Sequence, residues 1–224
     1  MNRVPGNTKH VLALIKLLRA ATKHMNPPAS AHITKKYGRD PFLILISCIL
    51  SLRTRDTISL PASFRLFQLA ITPQQMVRLA PQIIEQAIYP VGFYHQKTGH
   101  ILSLCKELIT QFNGEVPNTQ KDLLRLPGVG LKTANLVLSE GFGIPALCVD
   151  THVHRISNRL GLIKTRTPKE TEKELTQLLP QRYWSEWSRL LVVWGQNICL
   201  PLSPLCSQCP LQKLCPQVGV TKKR

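Results

Sequence analysis

Acidic side chains are scarce in this chain: 12 Asp and Glu stand against 29 Lys and Arg, a formal net charge of +17 over 224 residues. That excess is more than solubility requires. It points to a polyanionic partner, with nucleic acid ahead of a membrane surface; a generically cationic surface is the plainer alternative. Long apolar runs are missing as well. The longest, PFLILISCIL at 41–50, is too short to span a bilayer and suits a buried helix. No stretch alternates apolar and polar residues long enough to build a sheet. No period of solenoid length recurs, and no low-complexity linker interrupts the chain. The acid-poor N-terminus resembles an organelle transit peptide in composition, but no small-residue cleavage site precedes the folded pattern. Val11, Leu14, Ile15 and Leu18 instead share one face at helical spacing, which predicts a structural helix.

The remaining pattern is helix after helix. TPQQMVRLA begins with a Thr72-x-x-Gln75 capping box and Pro73 at the first helical position. TPKETEKELTQLL repeats the device with Thr167, Pro168 and Glu170. The expected fold class is all-α, with about ten helices.

Seven cysteines sort into two groups. Cys48, Cys105 and Cys148 lie in apolar surroundings and read as small core hydrophobes. Cys199, Cys206, Cys209 and Cys215 follow the spacing C-x6-C-x2-C-x5-C, interleaved with three prolines and two serines that oppose a continuous helix. An odd cysteine count without a secretory signal argues against a disulfide framework. Four thiolates on one compact loop suit a metal centre. Zinc accepts four sulfurs but usually pairs two C-x2-C-like knuckles across a longer insert, whereas a [4Fe–4S] cube takes one cysteine at each iron. Spacing by itself leaves both open.

The segment LLRLPGVGLKTANLVLSEGFG places Gly128, Val129 and Gly130 between two apolar helical stretches. Such a turn brings backbone N–H groups to the start of the second helix, where they and the positive helix end can grip a phosphate. This predicts a helix-hairpin-helix that holds DNA by its backbone, independent of sequence; an ordinary helix–helix turn is the alternative. Lys132 follows within the second helix, and Asp150 comes eighteen residues later in CVDTHVHRISNRLG. Alone, Lys132 reads as a phosphate contact and Asp150 as a helix N-cap. Together they suggest chemistry. A lysine amine is a nucleophile only when neutral, and a helix N-terminus in a partly buried setting disfavours the ammonium. A carboxylate can stabilise positive charge that develops on a sugar as a glycosidic bond breaks.

With these three elements in order along its whole length, the chain resembles the endonuclease III family, bifunctional DNA glycosylases of the helix-hairpin-helix superfamily. The resemblance implies a [4Fe–4S] cluster on Cys199, Cys206, Cys209 and Cys215. It implies two helical domains, a six-helix barrel at 35–145 with the hairpin, and 1–34 joined to 146–224 around the cluster, with the active site in the cleft between them. It implies base excision repair on double-stranded DNA with damaged pyrimidines or abasic sites: duplex bending, nucleotide flipping, attack of Lys132 on C1′, assistance from Asp150, and a 3′ nick by β-elimination. Lys132 argues against a monofunctional relative acting on mismatched bases. The Lys132–Asp150 pair argues against a purely DNA-binding or electron-transfer protein. LSLRTRDTIS and VGFYHQK resemble the family's DNA-probing loops, with Arg53 where many relatives have glutamine and Phe93 where an aliphatic residue is common. A phosphate contact and core packing are the plainer alternatives for these two. His152 reads either as a DNA or active-site group or as part of a helix cap. The implied setting is a monomer in a bacterial cytoplasm, associated with the nucleoid and not with a membrane; organelle targeting is disfavoured.

Overall fold

A computed structural model describes residues 8–224 and, among them, twelve α-helices and no strand. The helices are α1 (Thr8–Thr22), α2 (Ala29–Tyr37), α3 (Pro41–Ser51), α4 (Asp56–Leu69), α5 (Pro73–Met76), α6 (Pro81–Ile88), α7 (Tyr94–Phe112), α8 (Gln120–Leu123), α9 (Leu131–Leu136), α10 (Thr151–Arg159), α11 (Pro168–Leu178) and α12 (Trp184–Asn197). A π-helical turn, Val137–Gly141, extends α9. None of the described helices is long and apolar enough to cross a membrane.

The chain divides into two compact units. One is the inserted segment Pro28–Ile144; the other joins the N-terminal part through Pro27 to Pro145–Arg224. The inserted unit is organised around α3. All nine residues Phe42–Leu50 are buried, as the apolar run predicts. Asp40 starts the helix by accepting hydrogen bonds from the N–H groups of Phe42 (2.9 Å) and Leu43 (3.0 Å), with Pro41 at the first helical position. α2, α4, α7, α9 and the π turn pack on α3. Because α2 packs on α3 and α4, the unit begins at Pro28, ahead of the expected residue 35.

In the other unit α12 packs on α1 and α10, and α11 packs on α10. Val11, Leu14, Ile15 and Leu18 are the buried face of α1, in the predicted register, and they meet Trp187 and Trp194 of α12 in one core. Both capping boxes form. Thr72 accepts from the Gln75 N–H (3.2 Å) and Thr167 from the Glu170 N–H (3.2 Å). The return bonds of Gln75 and Glu170 go to the N–H groups of Ile71 and Arg166, one residue before each cap. Cys48, Cys105 and Cys148 are buried, and burial pushes the thiols of Cys48 and Cys105 up to about 12, as inert core sulfurs require.

Candidate functional site

The hairpin turn lies between α8 and α9. Leu123, Leu126 and Val129 point inward and are buried. Its two glycines serve different needs. Gly128 has φ +76, the left-handed region that disfavours a side chain, and an added Cβ would sit 3.2 Å from His100 Nδ1. Gly130 has φ −100 and ψ 178, open to any residue, and an added Cβ would meet nothing within 4 Å. Nothing in the protein demands glycine there. The Val129 N–H donates to the Leu126 carbonyl (3.1 Å), so Val129 supports the turn through both its side chain and its amide. No side chain caps α9, and a helix start is where backbone N–H groups can meet an outside acceptor.

Lys132 is the second residue of α9 and is exposed. This differs from the partly buried setting expected for it. The reason is the helix face: Thr133, Ala134 and Asn135 take the buried side, and Lys132 projects off it. Its charge still reaches α3, where it opposes the burial that raises the Cys48 thiol.

Asp150 belongs to the other unit and caps α10. Its Oδ1 accepts from the N–H groups of His152 and Val153, both at 2.9 Å. Both bonds land on one oxygen, so capping and a second role for the carboxylate are compatible. The half-buried His152 ring lies 3.1 Å from an Arg155 guanidinium nitrogen and packs against Gly195, where a Cβ could not be placed. Both of these contacts are within its own unit.

Arg53 and Phe93 occupy neighbouring loops of the inserted unit, with the Arg53 guanidinium 4.6 Å above the Phe93 ring. Phe93 is 53% exposed, which excludes core packing. Both have positive φ, 55 and 60, in a region costly for residues other than glycine.

All four C-terminal cysteines are free thiols and line one cavity, partly open to solvent. Ile156, Leu160, Trp194, Ile198 and Leu211 supply much of the remaining wall. Two arginines of α10 hold the loop. Arg155 donates to the Gly195 carbonyl (3.3 Å) and the Cys199 carbonyl (2.7 Å). Arg159 donates to the carbonyls of Leu200 (2.7 Å) and Pro201 (2.6 Å) and to Cys199 Sγ (3.4 Å). Burial raises the Cys209 and Cys215 thiols, and the neighbouring cysteines add to the shift. No group of three or more His, Cys, Asp or Glu among the described residues closes into a site for a single metal ion. Cys215 Sγ lies 3.5 Å from the Arg159 carbonyl, and the Arg224 backbone bonds to Pro204 and Ser207, which ties the basic tail to the same loop.

Sequence reasoning passed over Arg159, and over Lys97 of the inserted unit. Both were detectable, since each falls three or four residues from buried apolar positions of its helix: Ile156 for Arg159, Ile101 for Lys97.

Comparison with known proteins places this geometry. The family model described as HhH-GPD superfamily base excision DNA repair protein matches residues 46–181. Endonuclease III of Thermotoga maritima is 47% identical over 188 residues, covering 82% of this chain and 88% of that protein. A solved structure of a trapped endonuclease III–DNA covalent intermediate superposes with a TM-score of 0.83 at 34% identity, covering 94% of this chain and 96% of the other. A thermostable thymine-DNA glycosylase structure is nearly as close in shape, with a TM-score of 0.82, but is 25% identical over 93% of this chain and 96% of its own. Shape therefore does not separate these two activities.

Proposed function

The chain belongs to the endonuclease III family, within the HhH-GPD superfamily of base excision DNA repair proteins, and from that premise we propose that it removes oxidised pyrimidines from duplex DNA through Lys132 and Asp150. It is a DNA glycosylase and abasic-site lyase. Lys132 Nζ attacks C1′ of the flipped nucleotide as the bond to the base breaks, and the base leaves with the electron pair. The attached nitrogen then loses a proton and the C1′–O4′ bond opens, which gives an iminium; the iminium acidifies C2′–H, and loss of that proton expels the 3′ phosphate and nicks the strand. Because Lys132 is exposed on the protein, exclusion of water from the amine falls to the bound DNA. The Asp150 carboxylate stabilises the positive charge that builds on the sugar. The first amides of α9 grip the backbone, and Arg53 and Phe93 fill the gap left in the base stack.

The observation that carries this reading is the position of Lys132: two residues past a glycine with open space at its Cβ position, on an uncapped helix start. A phosphate gripped there brings a sugar within reach of the amine. It also favours the bifunctional activity over that of the thymine-DNA glycosylase whose shape the chain shares.

Cys199, Cys206, Cys209 and Cys215 hold a [4Fe–4S] cluster in this proposal. The donor set fits. Four free thiols surround a cavity instead of converging on a point, and Arg159 supplies a hydrogen bond to one sulfur. When bound, the cluster cross-links the loop that carries Lys213 and the basic tail.

Borohydride trapping on abasic duplex DNA tests the nucleophile. Lys132→Gln is expected to bind DNA and to lose both trapping and base release; undiminished trapping would assign the chemistry to another amine. Asp150→Asn is expected to slow base excision by a factor on the order of 100, as loss of electrostatic stabilisation at a reacting centre does. A fully active Asn variant would leave Asp150 a helix cap alone.

A further inference from the structure

Lys97 has no part in the chemistry above, yet it is the most buried lysine side chain in the core, 5% exposed in the first turn of α7. Burying an ammonium is costly unless each of its protons finds an acceptor. Here all three do. Nζ donates to the carbonyls of Leu50 (2.8 Å) and Leu52 (2.6 Å) and to Thr54 Oγ1 (3.1 Å). Burial still lowers the amine, to about 8, and no carboxylate among the described residues pairs with it. A methionine would fill the same space more cheaply, so packing does not account for a lysine.

What the three bonds hold is the loop that presents Arg53. Thr54 Oγ1 also accepts from the Gly92 N–H (3.2 Å), the residue before Phe93. A Cβ on Gly92 would lie 3.3 Å from both the Arg53 carbonyl and Thr54 Oγ1, so the two loops meet backbone to backbone. Their tips are the two left-handed residues, Arg53 and Phe93, stacked on each other. Left-handed backbone at such residues persists only where the surroundings over-determine it. Lys97, reaching back from α7 into the Arg53 loop four residues after Phe93, supplies that constraint to both.

We infer that Lys97 is a positioning residue that fastens the Arg53 and Phe93 loops into one preformed wedge, so that both side chains enter the base stack in a single step. The inference rests on the proposed reading of those two side chains as DNA-probing.

A double-mutant cycle tests it. Single-turnover excision of an oxidised pyrimidine from duplex DNA and nicking of a preformed abasic site are measured for Lys97→Met, for the Arg53→Ala/Phe93→Ala variant, and for all three changes combined. Misplaced positioning groups cost up to about 100-fold, so Lys97→Met is expected to slow excision roughly 10- to 100-fold. It should slow nicking of the abasic site, where no base has to be unstacked, no more than about threefold. Added to Arg53→Ala/Phe93→Ala, it should have little further effect on excision, because the wedge is already gone. Equal losses in both reactions, or the same loss in both backgrounds, would overturn the inference. Should Arg53→Ala/Phe93→Ala excise at the wild-type rate, the wedge reading itself fails, and the inference with it. Thr54→Val provides a milder variant that leaves the ammonium two carbonyl acceptors; it should reproduce the excision-selective loss in weaker form, and equal slowing of both reactions by it would count against the inference.

Discussion

The hairpin turn and the cysteine loop are both short, irregular and rich in chain-bending residues, but their backbones are treated in opposite ways. In the cysteine loop the carbonyls of Cys199, Leu200 and Pro201 are taken up by Arg155 and Arg159, which come from outside the loop. In the hairpin the Val129 N–H donates to the Leu126 carbonyl and shapes the bend, and no side chain caps the start of α9. One segment satisfies its polar groups from the chain's own side chains and encloses a cavity. The other opens onto a helix start that no side chain caps. Buried or inward backbone groups must be paired within the protein, whereas outward ones can wait for a ligand. The contrast therefore separates a region built to hold something inside from one built to hold something outside, and single substitutions should fail differently in each.

The largest effect is expected in the closed region. Metal-ligand bonds contribute folding free energy, so removing one thiolate weakens the loop as a whole. Purified protein should be yellow-brown with about four irons per chain, as a cubane on four thiolates requires. Cys209→Ser should come out cluster-depleted and poorly soluble, while Cys48→Ala, altering a buried thiol of α3, should keep its iron and colour. Iron analysis and visible absorbance decide this. Stoichiometric zinc without iron, after anaerobic preparation, would overturn the cluster assignment.

A smaller effect, divided between fold and function, is expected at Gly128. Alanine there must adopt φ near +76, at a cost of about 1–2 kcal/mol, and its Cβ crowds the His100 ring at 3.2 Å. The protein should lose stability by about that amount in denaturant unfolding. It should also bind DNA less well, because the turn that aims the α9 amides is displaced. An unchanged unfolding midpoint would mean the turn can relax without the left-handed residue.

Much of this was legible in the sequence because it rests on short-range rules. The face of α1, the buried run of α3 and both capping boxes are fixed by residues within a turn or two of each other. The two glycines could be seen, but not that they differ, since φ at 128 and the empty space at 130 depend on His100 and on how the turn packs. The expected burial of Lys132 failed for a related reason: helical spacing gives a residue's face, but which side of α9 turns toward α3 is settled only by packing. Lys97 and Arg159 were passed over because neither belongs to a motif and their partners are distant in sequence. In each case the acceptors are backbone carbonyls about 40 or more residues away, Leu50 and Leu52 for Lys97, Leu200 and Pro201 for Arg159. Composition and periodicity carry no record of carbonyl positions. The four cysteines were readable as a set because their spacing is local; the arginines that position them were not.

The smallest and most selective effect is expected at Gly130, and it isolates the open region from the fold. Its backbone, φ −100 and ψ 178, suits alanine, and the new methyl group would meet no protein atom within 4 Å. Gly→Ala at an unstrained position leaves stability unchanged or raises it by about 0.4–1 kcal/mol, through a less flexible unfolded chain. A DNA phosphate is a different neighbour. If it is held by the first amides of α9, the methyl group stands between phosphate and backbone and weakens about one hydrogen bond, worth roughly three- to tenfold in affinity. Gly130→Ala should therefore unfold at or above the wild-type midpoint and bind lesion duplex about three- to tenfold more weakly. The comparison must be made at fixed salt, because phosphate contacts make affinity salt-dependent. The loss should be alike on every sequence tested, since backbone contacts position the duplex without reading its bases. Unchanged affinity would mean that the phosphate is held elsewhere and that the empty space at Gly130 is incidental. A fall in stability would mean that the hairpin, like the cysteine loop, is closed by contacts of its own.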